Sequence, residues 1–515
     1  MRARPAPQYG LVSAVRGRTE DQSDLRRSAV WQPRLDQEMR LRHLDDMLAH
    51  SPDAIDARVE RAALLNALGR FIEARDAYLD VLKRAPAHFG ALNDFGVMLC
   101  DAGFRIAART VFSQAIKYHP ENPKTHVNLA NLLLHGGDFI AARAHYETAL
   151  RFSPEHPQAH QGLATVLGEL GDYVTAERHR RKGYEKQFII TLPYRGTTPP
   201  IEVLMLVSGT GGNIPTSSFL NDSVFRTSVV IADHFDAAAE LPQHHVVFNA
   251  IGDADLCGPA LAAATSLLER TTAPVINHPR LVSLTGRAAN AQRFAKLSGV
   301  VTPRICVMPR TALVAPDAHD ALTAHGFTFP LLLRSPGFHT GRHFVRIESA
   351  SGLPSAAANL LGDELLVIEY LDARGPDGMT RKFRVMVVDG RIYPLHLAIS
   401  SQWKVHYFTA EMTEHPQHRA QDASFLRDMP ATLGTKALTA LECIGRELGL
   451  DYAGIDFAIG PFGEVLLFEA NATMVVNRPD PDERWAYRSP AVARILDAVG
   501  AMLRARAANS RKILS

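Results

Sequence analysis

Four glycines, Gly69, Gly103, Gly137 and Gly171, stand 34 residues apart. Ala74, Ala108, Ala142 and Ala176 keep the same interval, and so do Pro52, Pro86, Pro120 and Pro154. A stretch that repeats at this period folds as a stack of similar units, because one unit of that length cannot bury its own apolar face. The residue types say how each unit is built. Glycine ends a first helix in a left-handed turn, alanine lets a second helix approach the first, and proline stops the second helix. Tyr78, Phe112 and Tyr146, four residues after each alanine, fill the space beneath.

Glycine at the inter-helix turn, alanine on the second helix and a closing proline at this period resemble the tetratricopeptide repeat. Four repeats are expected over about 53–189, with 35–50 as the second helix of an incomplete leading repeat, so that the array spans 35–189. Arg180 replaces the aromatic and Lys186-Gln187 falls where proline would stand, which suits a terminal capping repeat. The resemblance implies a concave surface for a peptide or protein partner. Asn93, Asn128, Asn131 and His160 are its candidate residues.

The chain has 515 residues, 46% of them hydrophobic, enough for several domains with proper cores. A net charge of +2 gives no ground for bulk binding of nucleic acid or of a membrane surface. No apolar stretch approaches membrane-spanning length. Cys100, Cys257, Cys306 and Cys443 are far apart and lack metal-ligand spacing, so they read as reduced, mostly buried thiols of a cytoplasmic protein. Residues 1–34, polar and Arg-rich without a signal-peptide core, read as a disordered tail. Residues 506–515 read as a second tail.

A linker at 190–200, rich in Pro, Gly and Thr, breaks the helical period. Strands are then expected at Ile201–Val207, His245–Asn249 and Val275–Asn277, with helices at 256–269 and 286–298, which makes 201–300 a small parallel α/β domain. Ser208-Gly209-Thr210-Gly211-Gly212-Asn213 reads as a tight strand-to-helix turn near a substrate. It lacks the lysine of a P-loop and the spacing of a dinucleotide fingerprint.

Near the end, Gly454-Ile455-Asp456-Phe457-Ala458-Ile459 and Val465-Leu466-Leu467-Phe468-Glu469-Ala470-Asn471 read as a hairpin about a two-residue Phe462-Gly463 turn. That turn sets Asp456 opposite Glu469, with Asn471 on the same face. Facing carboxylates destabilise a sheet, so the pair calls for a cation. Three hard oxygen donors suit Mg²⁺. Upstream, Arg381 to Val388 alternates and ends in an Asp389-Gly390 turn, with Lys382 and Arg384 on one face. Ser400 to Tyr407 gathers polar, aromatic and basic residues around Trp403 and Lys404. His339 and His343 flank a glycine-containing loop without the further ligands that zinc needs.

From Val246 onward the order of elements resembles the ATP-grasp carboxylate–amine ligases. The resemblance covers about residues 200–500 and rests on several segments together. These are Pro274 to Pro279 with Thr285-Gly286-Arg287, Gly299-Val300-Val301-Thr302-Pro303, Phe329 to Gly341, Val367-Ile368-Glu369-Tyr370-Leu371 and Leu467 to Thr473. It implies an ATP-grasp domain at 301–505 with its lid at about 301–370, following the 201–300 domain. It implies ATP and Mg²⁺ as cofactors, with Asp456, Glu469 and Asn471 on the metal. Arg287, Arg334, His339, Gly341, Glu369, Tyr370 and Leu371 would hold the nucleotide, and Arg384, Lys382 and Lys404 would serve catalysis. Arg287 and Arg334 stand where many relatives have lysine. Gly454 stands where D-alanine ligases carry arginine, and Ala472-Thr473-Met474 lacks the usual proline, so a different acceptor is expected. The implied activity joins a carboxylate, activated as an acyl phosphate, to a small-molecule amine or amino acid. The expected setting is a recruited peptide or protein, in peptide modification or a natural-product pathway. An ATP-binding scaffold or sensor and an ATP-dependent phosphotransferase are the alternatives.

Overall fold

The computed structural model describes residues 33–338, 341–405 and 410–514. Residues 1–32 of the expected 1–34 tail, His339 and the stretch from His406 to Thr409 lie outside the described residues, while Pro33 and Arg34 begin a helix. The chain divides into two compact units, one of Met1–Pro200 with Asp222–Thr227 and one of Ile201–Asn221 with Ser228–Ser515. Apart from Asp222–Thr227, the expected 201–300 and 301–505 domains thus fall in a single unit.

The first unit runs as helices α1 (Pro33–His50), α2 (Ile55–Ala67), α3 (Phe71–Arg84), α4 (Phe89–Asp101), α5 (Arg105–Tyr118), α6 (Pro123–His135), α7 (Phe139–Phe152), α8 (Pro157–Glu169) and α9 (Tyr173–Tyr184), then a short strand β1 (Ile189–Thr191). The four periodic glycines all have φ between +78° and +87°, a backbone that L side chains resist. The periodic alanines, Tyr78, Phe112 and Tyr146 are fully buried. Gly96 and Gly162 on the first helices leave the space that the rings of Phe112 and Tyr146 occupy. Two residues expected on the concave surface belong to this packing instead. Asn131 accepts a 2.6 Å bond from the Tyr146 hydroxyl inside the core. His160 is buried, its Nε2 2.8 Å from the Pro154 carbonyl and its Nδ1 2.7 Å from Nδ1 of His179. The same pairing recurs one period earlier in His126 and His145. Asn128 and Asn93 do meet, side chain to side chain at 2.8 Å.

The second unit contains three sheets. The first has strand order β3-β2-β4-β5, from β2 (Ile201–Val207), β3 (Phe225–Ile231), β4 (Val246–Asn249) and β5 (Val275–Ile276). β2, β4 and β5 are parallel, with α10 (Gly258–Leu268), α11 (Pro279–Val282) and α12 (Arg287–Phe294) following in the chain. β3 is not among the expected strands, although Val229-Val230-Ile231 is as apolar as its neighbours. The turn after β2 is closed by Asn213, whose side chain bonds both the N–H and the carbonyl of Ser208 at 2.8 Å. It leads into irregular chain rather than the expected helix.

The second sheet is antiparallel, order β7-β10-β8-β9, from β7 (Ile305–Pro309), β8 (Leu331–Arg334), β9 (Phe344–Ile347) and β10 (Glu364–Glu369). One face packs with α13 (Arg310–Val314), α14 (Ala318–Ala324) and α15 (Leu353–Asn359). Leu332, Leu366 and Ile368 on the other face join Ile305, Phe344, Tyr370 and Trp403.

The third sheet has order β12-β11-β13-β14-β6, from β6 (Val300–Val301), β11 (Thr380–Val388), β12 (Arg391–Ser400), β13 (Tyr452–Ile459) and β14 (Val465–Asn471). The helices α16 (Pro416–Arg427), α17 (Met429–Leu448) and α18 (Ser489–Leu514) complete the unit. The expected tail at 506–515 is helical through Leu514. Asp389 and Gly390 take positive φ between β11 and β12, as their turn requires.

The β13–β14 hairpin differs from expectation in a way that cancels. Its loop is not two residues: Ile459 pairs with Val465, and the Gly460 N–H bonds the Glu464 carbonyl. This slips the register by one, which alone would turn every later side chain to the other face. A bulge then shifts it back, because Phe457 pairs with Leu467 and Asp456 with Glu469, leaving Phe468 over. Asp456 faces Glu469 after all.

Candidate active site

Register brings the charged residues of the third sheet onto one face. Arg384 on β11 pairs with Asp456 on β13 and with His396 on β12, Asp456 pairs with Glu469 on β14, and Asn471 pairs with Gly454. Lys382 lies two residues from Arg384, on the same side. The alternate residues point away. Phe383 and Phe457 stack at 5.5 Å, and Phe383 meets Phe425 of α16, so the helices cover that face.

Asp456 is buried and held by cations. Lys382 Nζ donates to its Oδ2 at 3.0 Å, and Arg384 donates from Nε to Oδ1 at 2.5 Å and from a terminal nitrogen to Oδ2 at 2.7 Å. Burial opposes ionisation, but Arg384 and Lys382 outweigh it and hold the carboxyl well below its usual range. Glu469 accepts from Arg287 at 2.5 Å and from the Asn471 amide at 2.9 Å. Arg287, first residue of α12, also grips Asp255, with its guanidinium and its backbone N–H each 3.2 Å from Oδ2. The expected need for a cation between the carboxylates is therefore met by the protein's own lysine and arginines. A Mg²⁺ on Asp456 would have to displace one of them. Asn471 Oδ1 accepts from the N–H and hydroxyl of Thr473. Among the described residues no group of three His, Cys, Asp or Glu is close enough to hold a metal by itself.

Arg334, last residue of β8, donates to the Phe338 carbonyl and lies over the Phe344 ring at 5.4 Å. Its Nε is buried with no hydrogen-bond partner among the described residues. Burial and, next, the neighbouring Arg287 charge lower its pKa to about 10. Lys404 ties down the loop after β8, donating to the carbonyls of Gly341 at 2.8 Å and Phe344 at 3.2 Å. Burial and Arg334 lower its pKa.

A small cleft opens beside this face, lined among others by Arg287, Glu469, Asn471, Ile305, Ala291 and Leu467. The β10 residues sit differently from expectation. Both the backbone N–H and a carboxylate oxygen of Glu369 are taken by the backbone of Arg304, each at 2.9 Å. The Tyr370 ring carries Arg346 at 4.2 Å and meets Trp403 edge-on. Leu371 is half-buried beyond the strand end. Gly454 has no room for a side chain, because Met474 fills the space, so the arginine of D-alanine ligases could not stand there in this packing.

Sequence reasoning missed Asp255, His396 and Asn290. Asn290 donates to the Ala470 carbonyl at 2.6 Å and so fixes α12 to β14. Only His396 carried a signal, as one inward position of an alternating strand. Among the cysteines, Cys257 is buried and the other three are half-buried, with all four free. Among the described residues no helix is long and apolar enough to cross a membrane.

No curated protein matches this chain. Similar solved structures include MamA 41-end from Desulfovibrio magneticus RS-1, 23% identical over 29% of this chain and 84% of that one, with a TM-score of 0.27. Pseudomonas aeruginosa pilF is 21% identical over 29% and 68%, with a TM-score of 0.28. TTC0263, a TPR protein of Thermus thermophilus, is 18% identical over 29% and 83%, with a TM-score of 0.26. Residues 101–157 and 127–178 match the family model described as tetratricopeptide repeat, and α5 to α8, which lie within them, are repeats of that kind.

Proposed function

We propose that the second unit is an ATP-dependent carboxylate–amine ligase and that the repeats recruit its peptide or protein substrate. The observation that carries the reading is the pair Arg287 and Arg334. Two neighbouring, largely buried cations repel each other, and Arg334 keeps a buried N–H donor unfilled. A polyphosphate supplies the missing acceptors, and arginine suits it as a two-pronged donor. The apolar residues Ile305, Ala291 and Leu467 line the cleft beside these cations, where a base would lie once the cleft widens around it. Asp456, Glu469 and Asn471 would hold Mg²⁺, which when bound neutralises phosphate charge. Lys382 and Arg384, the cations on Asp456, would face the reacting phosphate. Lys404 would hold the loop after β8 closed against water.

In the reaction, a carboxylate oxygen of the substrate attacks the γ-phosphorus of ATP and ADP leaves. The amine nitrogen then attacks the acyl carbon, and phosphate leaves as the amide forms. The reading assigns the enzyme to the cytoplasm, where thiols stay reduced.

Calorimetry with Mg-ATP tests it. The wild type should bind. Arg334→Ala should bind about 2–3 kcal/mol more weakly, the cost of losing a charge-assisted contact, and Arg334→Lys should recover part. A wild type that does not bind ATP sinks the ligase and leaves a repeat scaffold. ADP without free phosphate would mark a phosphotransferase.

A further inference from the structure

The second residue of each following helix in the repeats is apolar, β-branched and out in solvent. Ile72 is 59% exposed, Ile106 87%, Ile140 70% and Val174 86%, each 34 residues from the next. Phe104 and Tyr173 beside them are about half exposed, and Phe71 stacks on Phe104 at 5.9 Å across two repeats. Single exposed apolar residues need no explanation, whereas a contiguous apolar row does. Core packing cannot account for this row, because the alanines and aromatics two to six residues on already fill the core.

We propose that this edge of the array pairs with the same edge of a second copy of the chain, antiparallel about a two-fold axis. Three observations favour a copy over another occupant. A row with one apolar group per repeat needs a partner with the same spacing, and a second copy has it by construction. Antiparallel pairing sets Ile72 against Val174 and Ile106 against Ile140. The charges near the turns also match in that sense and not in a parallel, in-register one. Arg70 ends the first turn and Arg105 opens α5, one position further along its repeat, while Asp138 and Asp172 stand in the last two turns, where they cap α7 and α9. Arg105, Asp138 and Asp172 are exposed, while Arg70 also holds Glu73. Finally, the six side chains expose roughly 800 Å² by their usual sizes, about what one partner contributes to a standard interface.

Light scattering after gel filtration, and sedimentation velocity over a micromolar concentration series, test this with the full chain. The wild type should run at twice its 56.5 kDa mass. Ile106→Glu with Ile140→Glu should raise the dimer dissociation constant roughly hundredfold or more, since the charges lose water on pairing, with circular dichroism unchanged. Arg105→Asp should weaken the dimer, and adding Asp138→Arg should restore it. A monomeric wild type, or a dimer indifferent to the double glutamate, overturns the proposal. A dimer weakened by the glutamates but untouched by the charge reversal overturns the antiparallel arrangement. Should the double variant misfold, Ile106→Gln alone, expected to weaken the dimer less, gives the same decision.

Discussion

In the repeat array the ion pairs lie at the rim. Arg40–Glu60, Arg61–Asp45 and Arg143–Glu147 each keep roughly a third to a half of both side chains in water. In the second unit the pairs around Asp456 and Glu469 go inside, while others such as Arg374–Asp372 stay at the surface: Asp456 is 4% exposed against Lys382 at 15% and Arg384 at 18%, and Arg287 is 10% exposed against Glu469. The array is held by small and aromatic residues at one period, and its charges are nearly free to vary. The second unit carries charges where desolvation makes them costly. An arrangement that costs stability and gathers perturbed groups beside a cleft points to chemistry.

The sharpest way to break that contrast is to remove one carboxylate from each unit. Asp456→Ala leaves Lys382 and Arg384 buried without their anion and should cost about 3–5 kcal/mol in urea unfolding, whereas Asp45→Ala in the array should cost no more than about 1 kcal/mol. Equal losses would end the comparison. Volume should reverse the ranking. Gly162→Ala drives a methyl into the Tyr146 ring and should destabilise the array by about 2–3 kcal/mol, leaving the unfolding of the second unit in place. A smaller loss, about 1–2 kcal/mol, is expected for Tyr146→Phe, which strands the buried Asn131 oxygen. Unchanged stability there would show that the amide finds another donor.

The smallest effect is one of pH. Burial, and next the partner histidine, lower the pKa of His145 and His179. A histidine depressed in the folded state takes up its proton in the unfolded chain first. Its cost to stability is absent above the unfolded value of about 6.5 and grows as pH falls below it. The melting temperature of the array should therefore drop between neutral and mildly acidic pH, and drop less in His145→Gln with His179→Gln. Parallel curves for the two proteins would remove the histidines from the account.

How far the sequence could be read follows from the same contrast. In the array each residue meets its own helix or the next repeat, so a period of 34 revealed turns, alanines and rings together. It could not tell a concave position from an interhelical one, which is why Asn131 and His160 were misplaced. In the second unit the hairpin made Asp456 and Glu469 face each other on paper, and alternation put Lys382 with Arg384. Nothing local joined Arg287 to Glu469, 182 residues away, or to Asp255. A reader of local pattern sees the facing acids, but not the cations from elsewhere in the chain that reach them.

The extra residue at Phe468 has a consequence for how this stretch tolerates change. The five-residue tip after Ile459 and the leftover residue on β14 are two halves of one arithmetic. Straightening the bulge with Phe468 kept would slide Glu469 opposite Ile455 and Asn471 opposite Ala453, on the helix-covered side, whereas deleting Phe468 would take out the extra residue and keep Glu469 opposite Asp456. Lineages that lack the residue at Phe468 should therefore still carry the acidic pair, on a hairpin without the bulge.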